Sequence, residues 1–257
     1  MQIEENLKKF LDKKVDQYNC SSFIKDDPIS VPHSFSKKQD IEIAGFFAAV
    51  FSWGKRTTII SKSKELMEKM DNAPHQFVTQ HTEKDLKKLI DFKHRTFNVA
   101  DLLYFIQFLR LHYFKNKSLE NAFSSGIKQS DHTIETGLNH FRKYFFIYDH
   151  EKRTEKHIAA PEMNSSCKRL NMFLRWMVRK DEKGVDFGIW KNISQAQLIC
   201  PIDLHVARVA KRLKILKRKQ TDWRAAIELT DYLRTLDKKD PVKYDFALFG
   251  LGVMEKY

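Results

Sequence analysis

Two residues stand where helices begin and carry complementary chemistry. Lys168 opens the stretch CKRLNMFLRWMVRKD (167–181) directly behind a polar NSS, and Asp203 opens PIDLHVARVAKRL (201–213), 35 residues after the lysine. A lysine in the first turn of a helix meets the positive end of the helix dipole. Arg169 beside it adds a like charge, so the ammonium form loses stabilisation. That is how an amine becomes a nucleophile near neutral pH. A carboxylate at a helix N-cap is held ionised by backbone N–H groups. Facing such an amine, it takes up the proton or stabilises a cationic sugar in the transition state. The open N–H groups of the Lys168 turn, capped by Ser165 or Ser166, suit a phosphate. Together these features describe attack by a lysine on a sugar carbon beside an anionic backbone. Taken singly, each has a plain alternative, an exposed lysine and a routine cap.

The elements that must position these residues are helical. Residues 1–18 read as a charged amphipathic helix, followed by a loop that prolines and serines keep irregular. Asp40 is read as the N-cap of DIEIAGFFAAVFSWG, a nearly all-apolar helix buried on most sides. The stretches RTTIISKSKELMEKM, TEKDLKKLIDF, NVADLLYFIQFLRLHYF (with Asn98 as cap) and IETGLNHFRKYFFIY follow as helices. At 3.6 residues per turn, the helix that Lys168 opens buries Leu170, Phe173, Leu174 and Met177. Its other side carries Lys168, Arg175 and Arg179 as a cationic ridge, with Met172 beside it. After the irregular DEKGVDFGIWKNISQAQLICP come the helices DLHVARVAKRLKIL, DWRAAIELTDYLRTL and DPVKYDFALFGLGV. No internal repeat or alternating strand is present, so the expected fold is all-α.

Composition bounds the function. The 257 residues suffice for one large domain or two lobes sharing a cleft, and 42% hydrophobic with 31% charged residues excludes a disordered chain. Twenty Phe against 8 Gly and 6 Pro favours helices with short connections. The excess of 46 Lys+Arg over 33 Asp+Glu, a net +13, attracts polyanions, nucleic acid above all. Cys20, Cys167 and Cys200 are too scattered for a C-x-x-C zinc site and too few for an iron–sulfur cluster. His205 follows Asp203 by two residues but finds no third ligand at short spacing, so neither a metal nor another cofactor is expected. The first helix has no apolar h-region and GFFAAVF is too short to span a membrane. The expected location is therefore the reducing cytoplasm, on the nucleoid if DNA is the partner.

The segment PIDLHVARVAKRL resembles the VDTHV-x-RV-x-RL segment of the helix-hairpin-helix DNA glycosylases, the endonuclease III and 8-oxoguanine glycosylase superfamily. Asp203, His205, Val206, Arg208, Val209, Arg212 and Leu213 fall in matching places. Upstream, AAVFSWGKRTTIISKSKELMEKMDNAPHQF is similar to that superfamily's LLSAQ-x-x-D helix pair, and HRTFNVADLLYFIQFL to its G-x-YN-x-KA helix. DPVKYDFALFGLGV sits where its closing core helix would, so the similarity runs over roughly residues 40–255. The glycine-rich LPGVG-x-K hairpin is replaced by PEMNSSCK, and the Lys–Asp separation resembles the archaeal 8-oxoguanine glycosylase branch. The combination is similar to a bacterial branch of that superfamily whose members carry only a domain-of-unknown-function label.

The resemblance implies a two-lobed all-α protein, probably best expressed as one domain over 1–257 in which helices before residue 40 pack on a glycosylase-like core. Duplex DNA with a damaged or abasic site is the implied partner, bound by a monomer with a flipped base in the cleft. Lys168 is implied to attack C1′ and form a Schiff base, with Asp203 as its partner. Ser165, Ser166 and Cys167 would hold a DNA phosphate through backbone N–H groups. Arg169, Arg175, His205 and Arg208 are further DNA-binding candidates, and Lys55 and Arg56 lie where the superfamily sends side chains into the DNA. Arg212 offers a phosphate contact too. Trp176 and Trp53, and after them Trp190, are candidates to stack on an extruded base. The implied activity is a base-excision glycosylase with lyase action on a damaged purine, oxidised guanine first. The alternative is a DNA- or RNA-binding protein that keeps the fold without catalysis.

Overall fold

Apolar spacing at helical period and well-placed caps carry the chain through a series of helices. The computed structural model describes residues 2–257. In chain order the α-helices are α1 (Gln2–Tyr18), α2 (Ser21–Ile24), α3 (Lys38–Val50), α4 (Arg56–Lys69), α5 (Pro74–Gln80), α6 (Glu83–Lys87) and α7 (Val99–Lys115). They continue as α8 (Glu120–Ser124), α9 (Glu135–Phe145), α10 (Lys168–Val178), α11 (Leu204–Arg212), α12 (Trp223–Leu236) and α13 (Tyr244–Val253). Short 3-10 turns, several opened by proline, punctuate the connections. No strand forms among the described residues, where the bridges His94–Phe97 and Ser165–Asp222 are isolated. The protein is all-helical.

The chain divides into two compact units. One comprises Ile24–Ile127 and Gly137–Ala159, the other Met1–Phe23, Lys128–Thr136 and Ala160–Tyr257. In the first, the phenylalanines form the core: Phe105 and Phe108 of α7 lie 4.7 and 4.4 Å from Phe145 of α9, and Phe123 stacks on Phe141 at 4.0 Å. Asn98 caps α7 through a reciprocal pair with Asp101. Asp101 in turn accepts from Thr154 and Arg153 at 2.8 and 2.7 Å, which fastens the 150s to the start of α7. Within α3 the one buried acid, Glu42, accepts from Tyr113 at 2.8 Å, the Leu119 N–H at 3.0 Å and Ser118.

The helix read as starting at Asp40 begins earlier, at Lys38, with Lys37 as cap. Asp40 sits inside the first turn and accepts from the His75 N–H at 2.8 Å, so its carboxylate ties down α5 instead of capping its own helix. In the second unit α1 and α11 both pack on α13. The approach of α11 needs a glycine: a Cβ at Gly252 would lie 3.1 Å from His205 Cβ and 3.2 Å from Val209 Cγ2. This close packing fixes where Asp203, at the head of α11, stands relative to α13.

Candidate functional site

The turn before Lys168 reverses without glycine by placing Asn164 (φ 55°, ψ 25°) and Cys167 (φ 50°, ψ 29°) in the left-handed region. Local bonds hold both residues there. The Trp223 N–H donates to Asn164 O at 3.4 Å, and Ser165 bridges to Asp222. Asp222 caps α12 by accepting from the Ala225 N–H, and Arg218 grips it at 2.7 and 2.5 Å. That grip, first among several causes, holds the Asp222 carboxyl far below the usual carboxylate range. Ser165 Oγ accepts from the Cys167 N–H at 3.2 Å, and Ser166 O accepts from Asn171 at 3.0 Å. Neither serine caps α10, contrary to expectation. The cap position is Cys167, whose side chain makes no capping bond, because both serines are turned into the hairpin itself.

Lys168, half-buried at the head of α10, makes no hydrogen bond or ion pair with the described residues. Asp203 caps α11, its Oδ1 accepting from the His205 and Val206 N–H groups at 2.8 and 2.9 Å. The charges of both bear on a third group, Asp245 of α13, which is 5% exposed and ion-paired to Arg175. Burial pushes the Asp245 carboxyl up to about 6; Arg175 and Lys168 oppose that and Asp203 adds to it. Burial likewise drives the Cys200 thiol well up, reinforced by Asp245 and Asp203. Lys168, Arg175, Cys200, Asp203 and Asp245 thus share one electrostatic neighbourhood in a single unit. Asp245 was missed from the sequence; its signal is a lone acid in FALFGLG-type apolar surroundings, where an ionisable group has no solvent face to occupy.

The cationic ridge is not a surface. Arg175 and Arg179 are 4% and 2% exposed. Arg175 meets Asp186 at 3.2 Å, and Arg179 meets Asp181, Asp186 and Asp240 at 2.7, 3.1 and 2.9 Å. The irregular segment after α10 covers this face: the Phe187 and Trp190 N–H groups donate to the Trp176 and Met177 carbonyls at 2.8 and 2.9 Å. Arg175 therefore offers no hand to a phosphate. Trp176 is fully buried and Trp190 packs edge-on to Phe173, so neither presents a stacking face. Burial lowers the Arg169 guanidinium from its ordinary range. His205, Arg208 and Arg212 are exposed along α11. Arg208 donates to the Gly252 and Tyr257 carbonyls at 2.8 and 3.2 Å, and Arg212 lies over the Tyr257 ring, so both help fasten the end of the described chain. Leu204, directly after Asp203, is 79% exposed.

In the other unit Trp53 is half-exposed just before α4, which opens at Lys55 and Arg56 without a side-chain cap. The Arg95 guanidinium covers the Trp53 ring at 4.2 Å. Gly54 (φ 103°) permits this, since a Cβ there would meet Arg95 Nη1 at 2.5 Å. Arg95 has φ 56° in the tight turn closed by His94 and Phe97, and His94 is anchored to Phe51 O at 3.0 Å. Arg95 has no acidic partner among the described residues.

No cluster of three His, Cys, Asp or Glu among the described residues is arranged to hold a metal ion. No described helix is long and apolar enough to cross a membrane. The molecule is an all-helical protein with a lysine and an aspartate at two helix starts, both acting on one buried acid. The chain belongs to the family described as Protein of unknown function (DUF2400), whose profile matches residues 27–254. No curated protein and no solved structure matches it.

Proposed function

We propose that the protein is a DNA-repair glycosylase with lyase activity, acting on a damaged purine, oxidised guanine first, within duplex DNA. The observation that carries this is the joint action of Lys168 and Asp203 on Asp245, which brings an uncommitted amine and a helix-held carboxylate to one locality. In the proposed reaction the neutral Lys168 Nζ attacks C1′ and the C1′–N bond breaks, its electron pair leaving with the base. The Asp203 carboxylate stabilises the positive charge that develops on the sugar. Opening of the sugar ring then gives a Schiff base between Nζ and C1′, and β-elimination breaks the C3′–O bond. The uncapped first turn of α10 suits a backbone phosphate. The experiment is borohydride trapping of the wild-type protein on duplexes carrying 8-oxoguanine or an abasic site. A covalent adduct that maps to Lys168 by peptide mass spectrometry is expected; intact duplex binding with no adduct on either substrate would sink the lyase chemistry.

A second reading, a nucleic-acid-binding protein without catalysis, is favoured by the Arg95–Trp53 stack, which needs nothing from Lys168. An unpaired guanidinium held on an indole is a preformed contact for a phosphate or a base. Under either reading Arg95→Ala weakens duplex binding and lowers the slope of log K against log salt by about 1, one phosphate contact. An unchanged slope in a salt titration by fluorescence anisotropy would remove Arg95 from the interface.

A further inference from the structure

Beneath Lys168 the buried charges do not balance. Arg175 and Arg179 face the carboxylates of Asp181, Asp186, Asp240 and Asp245, leaving negative charge in excess. Asp245 is the member of this group on which Lys168 acts, and it cannot move away, because Arg175 grips it while Arg175 itself is fixed by Asp186 and lies 4.3 Å over the Phe246 ring. We propose that Asp245 is a positioning residue for Lys168: its carboxylate, clamped by Arg175, is the fixed counter-charge that decides how much of Lys168 is free amine. With Asp245 ionised, the lysine rests as an ammonium ion. Proton uptake by Asp245 releases it. The inference rests on the glycosylase reading only for its consequence, the control of a nucleophile.

The groups facing Asp245 are known from each packed element. Lys168 and Arg175 come from α10, Asp203 from α11 and Cys200 from the segment before it. From α1, Asp12 faces Tyr244 and Lys243, and Lys14 pairs with Glu255 at 2.6 Å. The 3-10 turn Pro241–Lys243 adds Lys243, paired with Asp237 at 2.7 Å.

The test needs no nucleic acid. The protein is labelled with limiting acetic anhydride, and the rate at Lys168 is read by peptide mass spectrometry as a ratio to the exposed Lys64. In Asp245→Asn this ratio at neutral pH should rise about three- to tenfold, since loss of a nearby anion favours the neutral amine. A folded variant with an unchanged ratio would overturn the proposal. Should Asp245→Asn fail to fold by circular dichroism, the wild type decides alone. Its ratio should climb as pH falls through about 6, where Asp245 takes up its proton, and a flat profile would overturn the proposal equally. A wild type whose labelling follows Asp245 but which gives no trapped adduct would refute the lyase and leave this inference standing. An adduct with labelling indifferent to Asp245 would do the reverse.

Discussion

Asp203→Asn should slow base release and adduct formation by about 10²- to 10⁴-fold while leaving the protein's stability nearly intact. The two effects separate because Asp203 has two tasks. As a cap it accepts from the His205 and Val206 N–H groups, and an asparagine oxygen accepts from them equally well. As a charge it stabilises the developing cation on the sugar, and a neutral amide does not. Asp203→Ala should lose both, costing about 1 kcal/mol of stability in addition to the rate. Lys168→Gln should remove the trapped adduct completely. Single-turnover kinetics paired with urea denaturation provide the check. If Asp203→Asn reacted at the wild-type rate, the carboxylate would be a cap and nothing more.

Arg179→Ala should be the most damaging single change to stability, about 3–5 kcal/mol at neutral pH, because it breaks a buried ion network from its centre. The guanidinium serves Asp181, Asp186 and Asp240 at once. Its removal leaves carboxylates with no cation of their own, in surroundings where burial already raises the Asp240 carboxyl. The pH dependence has a definite sign. In the wild type the Asp181 carboxyl is lowered, burial opposing and Arg179 chief among the groups that lower it, so its contribution is present above the ordinary carboxylate value and fades as pH falls through the folded one. Without Arg179 the acids take up protons more readily. The deficit relative to wild type should therefore shrink on going from pH 7 to pH 5, and urea midpoints at the two values measure it. A deficit that grew with acid would show that the network is not held by Arg179.

What was legible in the sequence is what is local. Asp203 and Asn98 cap the helices they precede because a short polar side chain before an apolar run has its N–H partners within three residues. Lys168 opens α10 as its spacing implies. The failures lie where a distant segment decides. A helical wheel assigns Arg175 and Arg179 to the face opposite Phe173 but says nothing of what covers that face. The cover comes from Asp186 in an irregular stretch and from Asp240 and Asp245 some sixty residues on. The cap of α10 failed for a different reason. A cysteine in the left-handed region is an uncommon choice, held there by Ser165 and by the bridge to Asp222, and neither contact has a sequence period. Asp40 was misassigned because one more turn of helix precedes it and its acceptor role is spent on His75.

The glycine at position 252 has a consequence for how such a site responds when a charge appears in it. With α11 and α13 in backbone-level contact there, the helices that bear Asp203 and Asp245 share one rigid frame. The separation of their two anions is set when the chain folds and changes little afterwards. Reorganisation is then left to the four-carbon side chain of Lys168, whose rotamers cost little to exchange. A polar environment aligned in advance and a single adjustable cation is the division of labour that keeps the energy of rearrangement small at the moment of bond making.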